Sequence, residues 1–286
     1  MLHVAFVWHM HQPYYKDLVT GEYLLPWVRL HAIKDYYDMV AILEDFPAIR
    51  QTFNLVPSLV DQIEDYVRND VRDIYIDYTL KPASELTLED KVFILHNFFM
   101  ANWDTMVKAH PRYGELLAKR GYFVSASELN NVARYFSQQD FLDLQVWYNL
   151  SWFDPIFMEK DPLVKGMLKK GRDFTEEDKA LLIAKQVEIM GMVVPVYRRL
   201  AEKKQIEVST TPYYHPILPL LCDTNAARVA LPDIHLPHQR FRHPEDARPQ
   251  EQRQVRQPRS QRPHDGAQPA DGDAEHGGPL VALGGS

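Results

Sequence analysis

Two histidine-bearing stretches contain the side chains that could do chemistry. The first is "WHMHQPYY", in which His9 and His11 follow an apolar run and precede Gln12. The second is "EVSTTPYYHP", which contains Glu207 and His215. Residues two apart in a strand lie on the same face, so we expect the first two histidines to point in one direction.

A His-x-His pair after an early strand has three interpretations, and the pair alone does not decide between them. The imidazoles could be metal ligands, as in metal-dependent hydrolases built on barrels. They could also hydrogen-bond a polyhydroxylated ligand, or they could pack structurally. The metal interpretation requires more ligands at later strand ends, and the sequence does not identify them.

Aromatic side chains near both stretches favour the sugar interpretation, because rings stack on the weakly apolar faces of sugars while polar groups bind their rims. The aromatic residues in question are Tyr14, Tyr15, Tyr23, Trp27, Tyr213 and Tyr214. The predicted substrate-binding residues are His9, His11, Gln12, Trp27, Glu207, Tyr213 and His215. No Gly-rich phosphate loop, His-Glu-x-x-His motif or Gly-x-Ser-x-Gly motif is present.

The elements that position these residues have an alternating strand and helix pattern. "LHVAFVW" is typical of a buried parallel strand, and "LPWVRLHAIKDYYDMVAILEDFP" has helical spacing that ends at Pro47. "RQTFNLVP" predicts a second strand, and "SLVDQIEDYV" predicts a helix with Ser58 as its cap. This alternation indicates a βαβ unit, in which ligands bind at the carboxyl ends of the strands.

The middle of the chain is predicted to be a large helical insertion, about residues 85–205, before strand character returns at "IEVS". Three capping-box-like pairs mark helix starts within it. These pairs are Thr87 with Asp90, Ser125 with Glu128, and Thr175 with Asp178.

Composition excludes several classes of function. The net charge of −7 argues against nucleic-acid binding, which requires a basic face. Cys222 is the single cysteine, so no intramolecular disulfide is possible and a reduced, cytoplasmic location is expected. His3, His9 and His11 interrupt the first apolar run, so we predict no signal peptide. No stretch approaches the ~18 apolar residues of a membrane span, so we predict none.

Composition changes near residue 247. Residues 247–286 are rich in Arg, Pro, Gly and Gln and poor in apolar groups, so they are predicted to be a disordered tail. The abrupt change suggests the hypothesis of an out-of-frame translation or a truncated gene product. We therefore divide the chain into a folded unit, residues 1–246, and this tail.

Five segments in this order resemble the N-terminal part of glycoside hydrolase family 57. They are "WHMHQPYY", "LPWVRLHAIKDYYDMV", "FNLVPSLVDQIEDY", "EVSTTPYYHPILPLLCD" and "ALPDIHLPHQRFRHPEDA". The family acts on α-glucans, as α-amylases, amylopullulanases, branching enzymes and glucanotransferases. The resemblance therefore implies an α-glucan or maltooligosaccharide substrate, no cofactor, and the N-terminal portion of an incomplete (β/α)7 barrel in the α/β class.

The resemblance also implies a retaining mechanism, in which a glutamate attacks the anomeric carbon and an aspartate serves as general acid and then base. Two carboxyl groups about 5 Å apart are required. In the family the nucleophile follows in a Trp-x-x-Glu-like setting, whereas this sequence has no tryptophan after Trp152. Glu275 in "GDAEHGG" does not match. We therefore assign no catalytic residue and expect an inactive chain or a non-catalytic carbohydrate-binding remnant.

Overall fold

A three-stranded parallel sheet joins three segments that are far apart in the sequence. The computed structural model describes residues 2–69 and 71–246. The sheet has the order β1 (Val7–Met10), β3 (Gln51–Leu55) and β5 (Ile206–Ser209), with β3 in the centre. Two short strands, β2 (Glu22–Tyr23) and β4 (Arg72–Asp73), form a separate parallel pair. The predicted strands "RQTFNLVP" and "IEVS" are confirmed. The first strand forms at Val7–Met10 rather than across "LHVAFVW", and the expectation that it is buried is wrong, because β1 is an edge strand in which Val7 is 65% and Trp8 39% exposed.

Helices form most of the remaining structure. The α-helices are α1 (Trp27–His31), α2 (Asp38–Ala41), α3 (Pro57–Arg68), α4 (Ile74–Leu80), α5 (Leu88–Asn97), α6 (Pro111–Arg120), α7 (Ala126–Val132), α8 (Gln138–Leu150), α9 (Pro155–Lys160), α10 (Pro162–Lys170), α11 (Glu176–Glu202), α12 (Leu218–Cys222) and α13 (Ala227–Ala230). Two π-helices span Ala32–Tyr36 and Trp103–Val107. Short 3₁₀ helices span Ile42–Asp45, Ala83–Glu85, Ala133–Tyr135, Thr224–Ala226 and Pro244–Asp246.

Local capping chemistry explains where several helices begin. All three predicted capping boxes are present, at the starts of α5, α7 and α11. The predicted cap at Ser58 is wrong. Pro57 occupies the first position of α3, where its missing N–H costs nothing, so Ser58 lies inside the first turn.

The predicted first helix is interrupted. Instead of one helix ending at Pro47, the chain forms α1, a π-helical turn at Ala32–Tyr36, α2 and the 3₁₀ turn at Ile42–Asp45. π-Helical turns often occur near functional sites. This one places Tyr36 beside the polypeptide that follows β1, where its hydroxyl meets Gln12.

Helix α11 is long and apolar enough to cross a membrane, with a mean hydropathy of 1.5 over 18 residues. This window includes Lys185, Gln186 and Glu188 and is not a continuous apolar run, so the absence of a membrane span stays a prediction. The helix instead packs in the core against α3, α8 and β5. Its buried Lys179 donates hydrogen bonds to the Lys81 carbonyl and to Gln145. A core helix passes the same test of length and composition.

The two faces of the sheet have different surroundings. We call one the helix face, which contains Trp8, Met10, Gln51, Phe53, Leu55, Ile206 and Val208. The other is the open face, which contains Val7, His9, Thr52, Asn54, Glu207 and Ser209. Phe53 on the helix face is fully buried, with its ring 5.3 Å from that of Tyr197 in α11. On the open face, Val7 is 65% exposed.

The mixed α/β architecture with parallel strands is confirmed. Helices α5 to α11 occupy the range that was predicted as a helical insertion, but the barrel and its insertion stay predictions. The predicted disordered tail, residues 247–286, lies outside the described residues.

Candidate functional site

Three histidines meet at the carboxyl end of the sheet. His9 lies in β1, His11 follows that strand, and His215 lies in the turn after β5. Their ring centroids are 5.6 Å apart for His9 and His11, 4.6 Å for His9 and His215, and 5.0 Å for His11 and His215. The two stretches singled out in the sequence therefore form one cluster, which we call the histidine cluster.

The orientation of His9 is set by neighbouring strands. Its Nδ1 lies 2.9 Å from the side-chain oxygen of Asn54, and the amide nitrogen of Asn54 donates to Ser209 Oγ at 3.1 Å. Because the amide nitrogen is used by Ser209, the oxygen faces the imidazole and accepts from Nδ1–H. This hydrogen bond selects the tautomer with the proton on Nδ1, which leaves the lone pair on Nε2.

His215 has an unusual backbone conformation. Its φ of 54° is in the left-handed region, and its N–H donates to the Pro212 carbonyl at 2.8 Å. Pro216 follows, and a residue before proline normally prefers extended backbone. A non-glycine residue in this region costs about 1 kcal/mol. The fold therefore holds the imidazole in place against a local preference.

The environment favours the neutral form of His11. Burial lowers its pKa, and the adjacent imidazoles of His215 and His9 lower the pKa further. A neutral imidazole offers one N–H donor and one acceptor nitrogen. The cluster can therefore both donate to and accept from hydroxyl groups, or coordinate an ion.

Gln12 is anchored rather than free. Its amide nitrogen donates to the Tyr36 hydroxyl at 2.9 Å, and its oxygen accepts from the Tyr15 hydroxyl at 2.8 Å. Burial raises the pKa of Tyr36 to about 12, so that hydroxyl stays protonated. Gln12 therefore stabilises the loop that carries His11, and one N–H and one lone pair of its amide are not used by these two contacts.

A group of tyrosines lies beside the chain segment that holds His215. The ring of Tyr14 is 6.4 Å from Tyr213 and 5.7 Å from Tyr214. The Tyr213 hydroxyl donates to Asp61 at 2.5 Å, and its carbonyl accepts from Ser58 N–H in α3. Burial and then Asp61 raise the Tyr213 pKa far above its usual value. These contacts hold a half-buried aromatic surface next to the imidazoles.

Glu207 lies on the open face, two residues before Ser209 in β5 and so about 7 Å towards the amino ends of the strands. It is exposed, and one carboxylate oxygen accepts from Thr52 Oγ1 at 3.3 Å. It also lines a cavity of about 450 Å³ with Arg50 and Lys204. Glu207 therefore lies on the same face of the sheet as His9 and Ser209, but nearer the amino ends of the strands.

Trp27 lies in a different aromatic group. Its ring is 5.9 Å from that of Trp152 and 6.2 Å from that of His31, at the start of α1. Helical residues surround it, and no described contact joins it to His9, His11 or His215. Tyr23, one of the aromatics noted in the sequence, is fully buried and donates to Asp65.

Two residues that the sequence patterns did not single out orient the cluster, namely Asn54 and Ser209. A signal for Asn54 exists, because it is a polar residue inside the buried run "TFNLV". Ser209 lies opposite it in the register, which sequence alone does not give.

The fold and cluster define a parallel α/β protein with a polar site at the carboxyl edge of its sheet. The sequence profile of glycosyl hydrolase family 57 matches residues 5–260. This chain therefore belongs to glycosyl hydrolase family 57, a family of glycoside hydrolases. The match includes residues 247–260, which the composition assigns to the tail. No curated protein and no solved structure gives a significant match.

Proposed function

We propose that this protein binds α-glucan chains at the carboxyl edge of its sheet, as the N-terminal part of a family 57 catalytic domain. The observation that carries the proposal is the convergence of His9, His11 and His215 in a family 57 chain. Neutral imidazoles exchange hydrogen bonds with sugar hydroxyls, and the adjacent Tyr14, which packs on two further tyrosines, offers a ring for stacking.

The chemistry expected of the family is a retaining displacement by two carboxyl groups. In the three-stranded sheet that the structure describes, the strands contain one carboxylate residue, Glu207. Glu22 and Asp73 belong to the separate strand pair. No tryptophan follows Trp152 to supply the family's Trp-x-x-Glu-like setting. We therefore propose that this chain binds glucans without cleaving them at an enzymatic rate.

Calorimetric titration with maltoheptaose tests the binding proposal. His11→Ala removes a donor and an acceptor, so we expect roughly tenfold weaker binding, since about 1.4 kcal/mol is the size of one or two hydrogen bonds. Because His11 is not a core residue, its variant should unfold at the same denaturant concentration as the parent chain. His96→Ala, an exposed histidine on α5, is the matched control and should leave binding unchanged.

A reducing-sugar assay on the same samples tests the proposal that the chain does not cleave glucans. Binding without turnover supports the proposal of a carbohydrate-binding fragment. Turnover would show that this chain contains both carboxylates, and unchanged affinity in His11→Ala would place the sugar elsewhere. The cytoplasmic location, the absence of nucleic-acid binding and the absence of membrane binding stay predictions.

A further inference from the structure

The histidine cluster has a second chemical capacity, which goes beyond the proposed glucan binding. One ring nitrogen from each of His9, His11 and His215 lies within 4.8 Å of the other two. The three residues come from β1, from the loop that follows it and from the turn after β5. Parallel pairing through the central β3 brings these distant segments together.

We propose that His9, His11 and His215 form a binding site for a divalent transition-metal ion of the Zn²⁺ class. Three imidazole ligands match borderline ions such as Zn²⁺, Co²⁺ and Ni²⁺, whereas Mg²⁺ and Ca²⁺ require oxygen ligands. Three protein ligands with an open fourth position are the pattern of non-structural zinc sites.

The distances are compatible with coordination after a small adjustment. With Zn–N bonds of 2.0–2.1 Å, two nitrogens of a tetrahedral site are about 3.4 Å apart. The observed limit of 4.8 Å therefore requires an approach of about 1.4 Å at most.

The contacts of His9 with its neighbours also fit a metal ligand. Metal-bound histidines usually donate their second ring N–H to an oxygen acceptor, which fixes the tautomer. His9 donates Nδ1–H to Asn54, and Asn54 is in turn fixed by Ser209. The lone pair on Nε2 is thus available for the ion.

The strained turn contributes a further observation. His215 keeps a left-handed conformation directly before Pro216, although most residues at such a position adopt extended backbone. Strain of this kind concentrates at ligand-binding positions. In this conformation the ring centroid of His215 lies 4.6 Å from that of His9 and 5.0 Å from that of His11.

Titration of the metal-free full chain with Co²⁺ tests the proposal without an activity assay. Four-coordinate cobalt gives intense visible absorption, and we expect these bands to appear and to saturate at one ion per chain. Zn²⁺ should displace the cobalt and abolish the bands. We expect at least a hundredfold loss of affinity in His11→Ala and about a tenfold loss in Asn54→Ala, which removes only the partner of His9.

His96→Ala controls for loss of any histidine and should leave the titration unchanged. Absence of the bands, or bands that persist in the His9→Ala/His11→Ala/His215→Ala variant, would overturn the proposal. Circular dichroism of each variant checks that the chain has folded.

The two proposals fail separately. A chain that binds maltoheptaose through His11 but no Co²⁺ disproves the metal site alone. A chain that binds Co²⁺ at the cluster but no maltoheptaose disproves glucan binding alone. If both bind, Zn²⁺ should weaken maltoheptaose binding in the parent chain but not change the affinity that remains in His11→Ala.

Discussion

The two faces of the three-stranded sheet carry different kinds of side chain, although the same strands form both. On the helix face, Met10, Phe53 and Ile206 are buried. On the open face, His9 and Glu207 are exposed, and Asn54 is the buried residue of the central strand. One face therefore supplies apolar burial and the other supplies polar groups.

This difference teaches how the candidate site is supported. The site residues contribute little apolar burial, so the sheet depends for its stability on the layer formed by α3, α11 and the helix face. That layer also contains a cavity of about 320 Å³ lined by Leu59, Val193 and Val208. Substitutions on the two faces should consequently have separable effects on stability and binding.

The largest expected effect is loss of stability on the helix face. Phe53→Ala removes a fully buried ring that packs on Tyr197, and we expect a loss of about 3–5 kcal/mol in the free energy of unfolding. Urea unfolding followed by circular dichroism measures it.

The matched substitution on the open face is Thr52→Ala, one residue earlier in the same strand. Its side chain is half-buried and donates to Glu207, so we expect a change within about 0.5 kcal/mol. Equal losses in the two variants would show that the open face is packed in solution.

A smaller effect concerns a carboxyl pair in the helical layer. Burial, and next the charge of Asp154, raise the pKa of Asp38 to about 7. Between its unfolded pKa and pH 7 the native state therefore holds a proton that the unfolded chain releases, so stability falls as pH rises through this window. Asp38→Asn removes this penalty. We expect it to stabilise the protein by about 1–2 kcal/mol at pH 8, with little gain at pH 4.

Thermal unfolding of both proteins between pH 4 and pH 8 measures the effect. Asp45→Asn, at the exposed end of the 3₁₀ helix Ile42–Asp45, serves as the control for removing an acidic charge. A parallel pH dependence in the parent and Asp38→Asn would mean that Asp38 is ionised throughout.

Local patterns predicted much of the scaffold. The capping boxes at Thr87, Ser125 and Thr175 depend on residues three apart, and all three mark helix starts. One failure was local, because Pro57 rather than Ser58 determines the start of α3. The other was not, because the helical spacing after Pro26 does not show the π-helical turn that brings Tyr36 to Gln12.

The candidate site was predictable only where chain topology determines proximity. His9 lies at the carboxyl end of one parallel strand, His11 follows that strand and His215 follows another, so their shared edge follows from the strand assignment. Trp27 belongs to a helix start, and nothing in its spacing indicates that it packs on Trp152. The tautomer of His9 depends on Asn54 and Ser209, whose register emerges only from the three-dimensional pairing.

The smallest expected change in the free energy of unfolding comes from relieving backbone strain. Two strained residues allow a comparison, one in the site and one outside it. His215 and Lys204 both have positive φ, at 54° and 57°. Lys204 follows α11 in a Schellman arrangement, in which Gln205 N–H donates to the Leu200 carbonyl and glycine is preferred. Glycine relieves the strain but loses more conformational entropy on folding. We therefore expect Lys204→Gly to raise the free energy of unfolding by about 0.5–1 kcal/mol.

His215→Gly relieves the same strain but loses ring contacts with His9 and His11, so we expect a gain of no more than about 0.5 kcal/mol. Chemical unfolding of both variants measures the difference. A stabilised His215→Gly that no longer binds maltoheptaose would show that the fold accepts strain to position a ligand-binding side chain. Destabilisation by more than about 1 kcal/mol, with Lys204→Gly stabilised, would instead make His215 a packing residue of the turn.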